Sequence, residues 1–540
     1  MNKTYSQIVF ENFKSHKIAF FALIVVCIFC IAGIYAPFLA SSKPLVVSYN
    51  GVWYFPLFRY LLFSGFYTKS LDLFFNLLMF TAPSMLLAYF CLKKVPKMRL
   101  TLIICLIFVQ VSLFFFFLFS KQQDPAENIE LNKMRHDALK TRKVNPTFAF
   151  DLQYMNDYKK LNLLLNYRHQ QLQNERLQQL SAAYEAKAKE KLINMLLKDK
   201  KALLLRQGVL VQNLPNDEEL KKQALSEISA EQMKASISIP TLWNINQENR
   251  RQEILRLKDE LARNPEDERA KASLQYVLDK EKWLQEESRH LKYEVMPLIR
   301  DFHFEEDAGG EQGLNQFLPW NELSRINRKD LVSALIFGVR VSLVVGLLAV
   351  GLSLLIAIPV GAYAGYYGGT FDIIVSRILE VLEAMPLFFM LLMIIAITMS
   401  KSIFLVILMI GLFGWTGFSR YVRAEFFKQR NLSYVQSGHA LGFKNSYIMF
   451  SHILPNAIPP LLTLLPFAIM GAITSEAGLS FLGLGEEGSA SWGVLMNEGR
   501  QAFPAESYLL WPPAILLTIL LVAIALVGDG LRDAIDPKMH

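Results

Sequence analysis

Four groupings of side chains in this 540-residue sequence have types and spacing that could do chemistry. Cys27 and Cys30 stand in a Cys-x-x-Cys arrangement, the spacing of a redox dithiol or of half a zinc site. No second Cys/His pair completes a ligand set. All four cysteines, Cys27, Cys30, Cys91 and Cys105, lie in or at the end of apolar stretches, where a thiol behaves as a small hydrophobe. Ser489 and Ser491 sit in a glycine-rich run but lack the Gly-x-Ser-x-Gly spacing that exposes a nucleophile. Arg377, Glu380 and Glu383 recur at helical spacing before an apolar run and read as an interfacial face with local ion pairs, rather than as charges facing a cavity. The fourth grouping, between residues 420 and 456, combines basic side chains, histidines and glycines and is taken up below. There is no Gly-Lys dipeptide, hence no phosphate-cradling Gly-x-x-x-x-Gly-Lys-Ser/Thr loop, and no His-Glu-x-x-His zinc helix. Energy for any driven process must therefore come from another polypeptide.

The elements that position these groups are mostly apolar. Hydrophobic residues make up 52% of the chain, and about 20 apolar residues suffice for a helix to cross a bilayer. Eight stretches meet that length: 18–40, 71–92, 100–119, 333–361, 379–399, 402–419, 456–477 and 511–529. The first follows Lys14 and Lys17 with no small-residue cleavage pattern behind it, so it reads as a retained anchor. Lys and Arg mark cytoplasmic loops. With both termini in the cytoplasm, the loop carrying Lys93, Lys94, Lys97 and Arg99 falls inside. So does the loop carrying Arg420, Arg423, Lys428, Arg430 and Lys444, while the acidic stretch with Glu486, Glu487, Glu498 and Glu506 falls outside.

Between 121 and about 320 the sequence turns charged and helix-favouring. Leu177, Leu180, Tyr184 and Ala188 recur at three-four spacing, and Ile254, Leu257 and Leu261 repeat it before Asn264-Pro265 breaks the helix. This predicts a soluble helical insertion, a candidate antiparallel hairpin, placed outside the cytoplasm by the parity of the preceding spans. Residues 121–330 hold 35 basic and 34 acidic side chains, so nearly all of the net charge of +8 belongs to the membrane portions. Topology and anionic lipid account for that excess, and a nucleic-acid face is excluded.

The last third is the most specific. Tyr434-Val-Gln436-Ser437-Gly438-His439-Ala-Leu441-Gly442-Phe443 is followed by His452-Ile-Leu454-Pro455-Asn456. This resembles the EAA loop of ABC importer permeases, with Gln436, Ser437 and Gly438 at the Glu-Ala-Ala positions and Gly442 and Leu454-Pro455-Asn456 where the family has them. Further matches run from about 328 to 537: Arg328-Lys-Asp330, Gly338-Val-Arg340-Val-Ser342-Leu343, Gly365-Tyr-Tyr-Gly-Gly369 with Asp372, Ser480-Phe-Leu-Gly-Leu-Gly485, Ser491-Trp492-Gly493, Glu498-Gly-Arg500 and Gly528-Asp-Gly-Leu-Arg532-Asp533-Ala-Ile-Asp536-Pro537. The chain is thereby identified as similar to oligopeptide/dipeptide ABC transporter permeases of the C type.

The resemblance implies an all-α membrane protein of about eight transmembrane helices. The expected parts are a tail and first helix (1–40), a loop and extra hairpin (41–120), the helical insertion (121–320), and an importer permease core (321–540) with a cytoplasmic coupling loop at 420–455. It implies no catalytic residue, metal or cofactor on this chain, with ATP and Mg bound by partners. Those partners would be a homologous second permease, two cytoplasmic ATPase subunits and an extracytoplasmic substrate-binding protein, in the bacterial inner membrane. Two alternatives stay open. One is an importer of another cargo, such as nickel, glutathione or a peptide antibiotic. The other is a membrane-anchored helical envelope scaffold with a degenerate core. The topology is tested by single cysteines at Ser229 and Ser446 in a cysteine-free background. They should label from opposite sides of the membrane, and labelling from one side defeats the eight-span arrangement.

Overall fold

The computed structural model describes residues 5–63, 69–92, 95–120, 122–142, 146–169, 171–172, 193–194, 197–198, 200–204, 216, 218–220, 222, 245–299, 331–486, 488–501, 503 and 509–535. The chain runs through α1 (Tyr5–Ser15), α2 (Lys17–Ile34), strands β1 (Val46–Tyr49) and β2 (Val52–Tyr54), α3 (Ser70–Cys91), α4 (Pro96–Phe119), α5 (Ile129–Arg142) and α6 (Phe148–Gln153). It continues through α7 (Ile245–Arg263), α8 (Glu268–Glu287), β3 (Leu291–Val295), α9 (Leu331–Tyr367), α10 (Gly369–Ala384), α11 (Leu387–Thr398) and α12 (Ile403–Gln429). The last elements are α13 (Ser433–Ala440), α14 (Leu454–Leu462), α15 (Leu465–Leu479), α16 (Trp492–Gln501) and α17 (Trp511–Ile535).

Seven helices among the described residues are long and apolar enough to cross a membrane: α2, α3, α4, α9, α12, α15 with its extension to Leu484, and α17. The spacing predicts a continuous eighth span over 379–399, and here the structure differs. α10 and α11 meet at an angle of 78°. The break falls at Met385-Pro386, because a proline forces its predecessor out of helical geometry and offers no N–H to continue the ladder. The two helices are one bent span or a re-entrant pair. The span expected at 402–419 instead continues to Gln429, so Arg420, Arg423 and Lys428 ride on the last turns of α12 rather than in a loop.

Helices here satisfy their own backbone groups, which a bilayer requires. α4 shows the consequence most clearly, with Phe108, Phe116 and Phe119 all projecting outward. Its one buried polar residue, Gln110, turns inward. It donates to the Phe74 carbonyl at 3.0 Å and accepts from Thr81 Oγ1 at 2.7 Å, closing the α3–α4 hairpin.

The core is centred on α9 and α12. Gly361 and Gly365 of α9 lie directly against the backbone of α12, where an added Cβ would run into the carbonyl oxygens of Ser419 and Arg423. Gly365 is thus a packing residue inside α9. The turn after α9 is made by Gly368 and Gly369, at φ +66° and +60°.

In the insertion, α7 and α8 form the expected antiparallel hairpin around Asn264-Pro265, and Asp267 caps α8 by accepting from the amides of Arg269 and Ala270 at 2.9 and 3.1 Å. Leu177, Leu180, Tyr184 and Ala188 lie outside the described residues. A small antiparallel sheet, order β2-β1-β3, was not expected from the sequence pattern. β1 and β2 are joined by Asn50-Gly51, both at positive φ, as a tight hairpin requires. β3 returns from the far end of the insertion to pair with β1, and a separate parallel bridge joins Ala40 and Ile299, with the Ser41 amide on the Ile299 carbonyl at 3.1 Å.

Where this sheet meets the membrane helices, Arg340 of α9 is fully buried. Its guanidinium donates to Asp72 Oδ1 at 2.8 Å and Asn76 Oδ1 at 3.0 Å of α3, and to the Gly33 and Ile34 carbonyls at the end of α2 at 2.7 and 3.4 Å. Phe75 and Phe337 present ring faces to it. Tyr366, 26 residues further along the same helix, lies roughly 39 Å away at 1.5 Å per residue. The sheet and the 433–456 segment therefore sit at opposite ends of the bundle. Removing one member of a buried ion pair leaves the other uncompensated, at a cost of about 3–5 kcal/mol. Asp72→Leu should accordingly lower the thermal unfolding midpoint of the detergent-purified protein far more than Asp137→Leu on α5. Equal midpoints would remove Arg340 from the account of what holds α2, α3 and α9 together.

Candidate functional site

The exposed segment between α12 and α15 is built from four short pieces. α12 ends at Gln429, and Arg430 donates to the carbonyls of Gly365 and Tyr366 at 3.4 and 3.2 Å, tying this corner to the end of α9. Arg423, one face back along α12, pairs with Asp372 of α10, which closes the same corner from the other side. Arg420 pairs with Glu383 at 2.6 Å, and Arg377 with Glu380 at 2.6 Å, so these charges form the ion-paired face that their spacing predicts.

α13 then carries Tyr434, Gln436, Ser437, Gly438 and His439. It stops at Gly442 for a definable reason. The Phe443 amide bonds back to the Gly438 carbonyl at 3.1 Å and the Gly442 amide to the His439 carbonyl at 2.9 Å, with Gly442 at φ +75°. This is the left-handed glycine cap that ends many helices by satisfying their last carbonyls. A π-helical turn, Ile448–Ile453, follows, and Leu454-Pro455 open α14. Val435, Ile448, Met449 and Ile453 are fully buried and continuous with the membrane core. The segment is therefore a rigid extension of the bundle and not a loose connection.

The structure gives each predicted residue a distinct place. Tyr434 donates to Gln429 Oε1 at 2.6 Å, and burial pushes its hydroxyl pKa up while Asn456 beside it acts in the opposite sense. Gln436 is exposed and its amide donates to the Asn431 carbonyl at 3.2 Å, a bond a glutamate could not make. Ser437 donates back to the Ser433 carbonyl at 2.9 Å. Gly438 is buried, and a Cβ there would meet Ile448 at 3.5 Å, an ordinary contact. Leu441 is 72% exposed, and an added Cβ at Gly442 would meet nothing within 4 Å. His452 stacks on Phe443 with ring centres 5.9 Å apart and meets Tyr447 edge-on. Asn456 donates to the His452 carbonyl at 2.9 Å.

Sequence reasoning missed two parts of this site. Phe443, Tyr447 and Phe450 project outward beside Leu441, forming an apolar tip on a segment that leaves the membrane core. Their apolarity outside a span was the available signal. Tyr366, at the end of α9, bonds His439 Nε2 at 3.0 Å and Asn445 Oδ1 at 3.1 Å. No local pattern reports a partner 73 residues away.

At the opposite end of the bundle the scattered motif residues converge. Glu476 is buried and receives both the Ser480 and Ser491 hydroxyls at 2.7 Å, and the Ser491 oxygen accepts the Gly493 amide at 3.2 Å. Trp492 donates its indole N–H to the Leu335 carbonyl at 3.0 Å and fills the space beside Gly338, where a Cβ would collide with the indole. This arrangement locks α9, α15 and α16 together, and it does so with hydroxyls that have no nucleophile's environment.

Comparison with known proteins agrees with this geometry. Residues 357–540 match the model of the binding-protein-dependent transport system inner membrane component, and residues 4–52 match that of the N-terminal TM domain of oligopeptide transport permease C. A peptidoglycan transport system permease protein from Agrobacterium fabrum is 38% identical over 39% of this chain, and the match spans about half of that relative (55%). The oligopeptide transport system permease protein OppC from Haemophilus influenzae is 35% identical over 39% of this chain and 68% of its own length. Among solved structures, a chain of the inward-facing MetNI methionine ABC transporter aligns over 38% of this chain and 98% of its own, at 20% identity and a TM-score of 0.32. With seven membrane-length helices and these matches in the expected order, this chain belongs to the family of binding-protein-dependent ABC transport permeases of the inner membrane, in its oligopeptide/dipeptide branch.

Proposed function

We propose that the chain is the transmembrane permease subunit of an ATP-driven importer of oligopeptides or dipeptides, working by alternating access with separate ATPase subunits. The observation that carries this reading is the 433–456 segment. It is rigidly seated on the membrane core through Val435, Ile448, Met449 and Ile453, and it carries an exposed apolar tip of Leu441, Phe443, Tyr447 and Phe450. An element built this way passes a push from a docked partner to α9 and α12 without absorbing it. The docked partner would be the ATPase, which binds ATP and Mg, with this end of the bundle and both termini in the cytoplasm. A homologous permease and an extracytoplasmic binding protein complete the proposed assembly. The relative named for peptidoglycan transport favours a second reading of the cargo, peptidoglycan, on the same machinery. No covalent chemistry falls to this chain, and closure of the ATPase pair would shift the population of the two access states.

The open space around Gly442 separates causes. Strain from a side chain at positive φ costs on the order of 1–3 kcal/mol and acts on this chain alone, whereas bulk at the tip acts only on a docked partner. Gly442→Asp should abolish uptake of a labelled peptide, with normal membrane abundance and less co-purified ATPase. Gly442→Asn, which adopts left-handed geometry more readily, should keep the cap intact and still lower ATPase co-purification. Gly438→Ala, with room for its methyl group, and Gln436→Glu should retain uptake. Full uptake by Gly442→Asp, in membranes holding equal amounts of each variant, would show that this segment is not where hydrolysis is coupled to movement.

A further inference from the structure

We infer that the first two turns of α3 form a latch on the membrane core, with Lys69 and Glu486 as its releasable half and positioning residues for transport. Lys69 is the extended N-cap residue of α3, and Asp72 and Asn76 stand four residues apart on the first two turns that follow it. Asp72 and Asn76 hold Arg340 of α9, as described. Lys69 reaches a different part of the core. Its Nζ lies 3.2 Å from Glu486 Oε1, while Glu486 Oε2 accepts the Ile403 amide at 3.1 Å. Ile403 is the first residue of α12, and its N–H is one of those a helix start leaves without an intrahelical partner. The N-terminal end of α3, with its cap residue, thus bridges α9 and the first turn of α12, the two helices at the centre of the core.

The two ties differ in what breaking them leaves behind. The Arg340 and Asp72 side chains are 0% and 8% exposed, so separating them strands a charge without water. Lys69 and Glu486 keep 26% and 22% exposure, so water can replace part of the lost pairing when they separate. The first tie is permanent and the second can open. Space for the opening exists. A cavity of about 370 Å³ lies beside the pair, between Leu73 and Leu118 of the hairpin and Phe404 of α12. α12 also follows directly on the bent α10–α11 unit through residues 399–402, so displacement of its first turn carries α11 with it. The hairpin lies outside both regions matched by the family models, 4–52 and 357–540, so this contact is an addition to the shared core. The inference rests on the alternating-access reading. Under it, the outer tie holds the sheet end of α12 against α3 in the resting state and parts when that end opens.

The test uses the complex with its ATPases and partner permease in liposomes. Lys69→Met removes the charge with little change in length, and it should raise cargo-independent ATP hydrolysis several-fold at normal subunit abundance. Lys69→Arg should return hydrolysis to the wild-type rate. In a cysteine-free background, Lys69→Cys with Glu486→Cys joined through mixed disulfides by a short bis-methanethiosulfonate, which releases sulfinate as each disulfide forms, should lose uptake at least tenfold, with recovery when an added thiol reduces the disulfides. Hydrolysis unchanged in Lys69→Met, or uptake unaffected by the cross-link, overturns the latch. Should the double cysteine protein take up nothing before cross-linking, the Met and Arg variants decide alone. A wild-type complex that hydrolyses ATP but imports no peptide would defeat the functional reading, while the hydrolysis measurements would still judge the latch.

Discussion

Arg340 carries a charge to a place where it meets no water, and the elements around it are arranged to answer that charge. The guanidinium has five donors in a planar fork. Four of its contacts go to a carboxylate, an amide oxygen and two backbone carbonyls, drawn from α3 and from the end of α2. The two carbonyls are ones that a helix end leaves without a partner, so the same side chain that needs acceptors relieves α2 of unsatisfied ones. One residue thereby sets the relative height of three helices. The sheet lies close by in the chain, since β1 begins twelve residues after α2 ends and Ile299, four residues past β3, is tied to Leu39 and Ser41 by backbone bonds.

At the other end of the bundle the governing constraint is close approach. Gly361 and Gly365 let α9 touch the backbone of α12, and the corner is then closed by Arg430 on the α9 carbonyls and by Arg423 on Asp372. α13 docks on this corner by the buried Val435 and by the Tyr366–His439 bond. Because protein interiors are close-packed, a displacement at the Leu441–Phe443 tip has few side-chain rearrangements available to dissipate it. Under the proposed coupling it would be passed to the ends of α9 and α12. α9 is 37 residues long, about 55 Å, and reaches from this corner to Arg340. The two ends of the protein are thus joined by one continuous helix.

The polar groups inside this membrane protein divide by what surrounds them. Arg340 with Asp72, Gln110 with Thr81, and Glu476 with two serines each satisfy one another within the bundle, as groups shut away from water must. Lys69 and Glu486, Arg377 and Glu380, and Arg420 with Glu383 keep partial access to solvent and form weaker pairs. The first set defines the fold. The second stays within reach of water.

The sequence by itself determined the membrane class, most of the spans and the local shape of the 433–456 segment. Each of these rests on a local property: run length of apolar residues, a helix-ending glycine at Gly442, a Leu-Pro-Asn opening at 454–456. Asn50-Gly51 between Val47 and Val52 was an equally local signal for a hairpin, and it was legible although the sheet was not expected. What tertiary structure alone decided is every relation between residues far apart in the chain. That β3 pairs with β1 across more than two hundred residues, that Asp72 faces Arg340, and that Tyr366 meets His439 depends on which helix faces turn toward each other. Nothing in a helix's own periodicity names its neighbour. The same holds for Gly365, whose glycine-rich surroundings suggest a turn and whose real constraint is the backbone of another helix. Even the broken span at Met385-Pro386 needed the structure. Proline signals a helix boundary locally, but whether the two pieces continue straight or fold back at 78° is set by packing against the rest of the bundle.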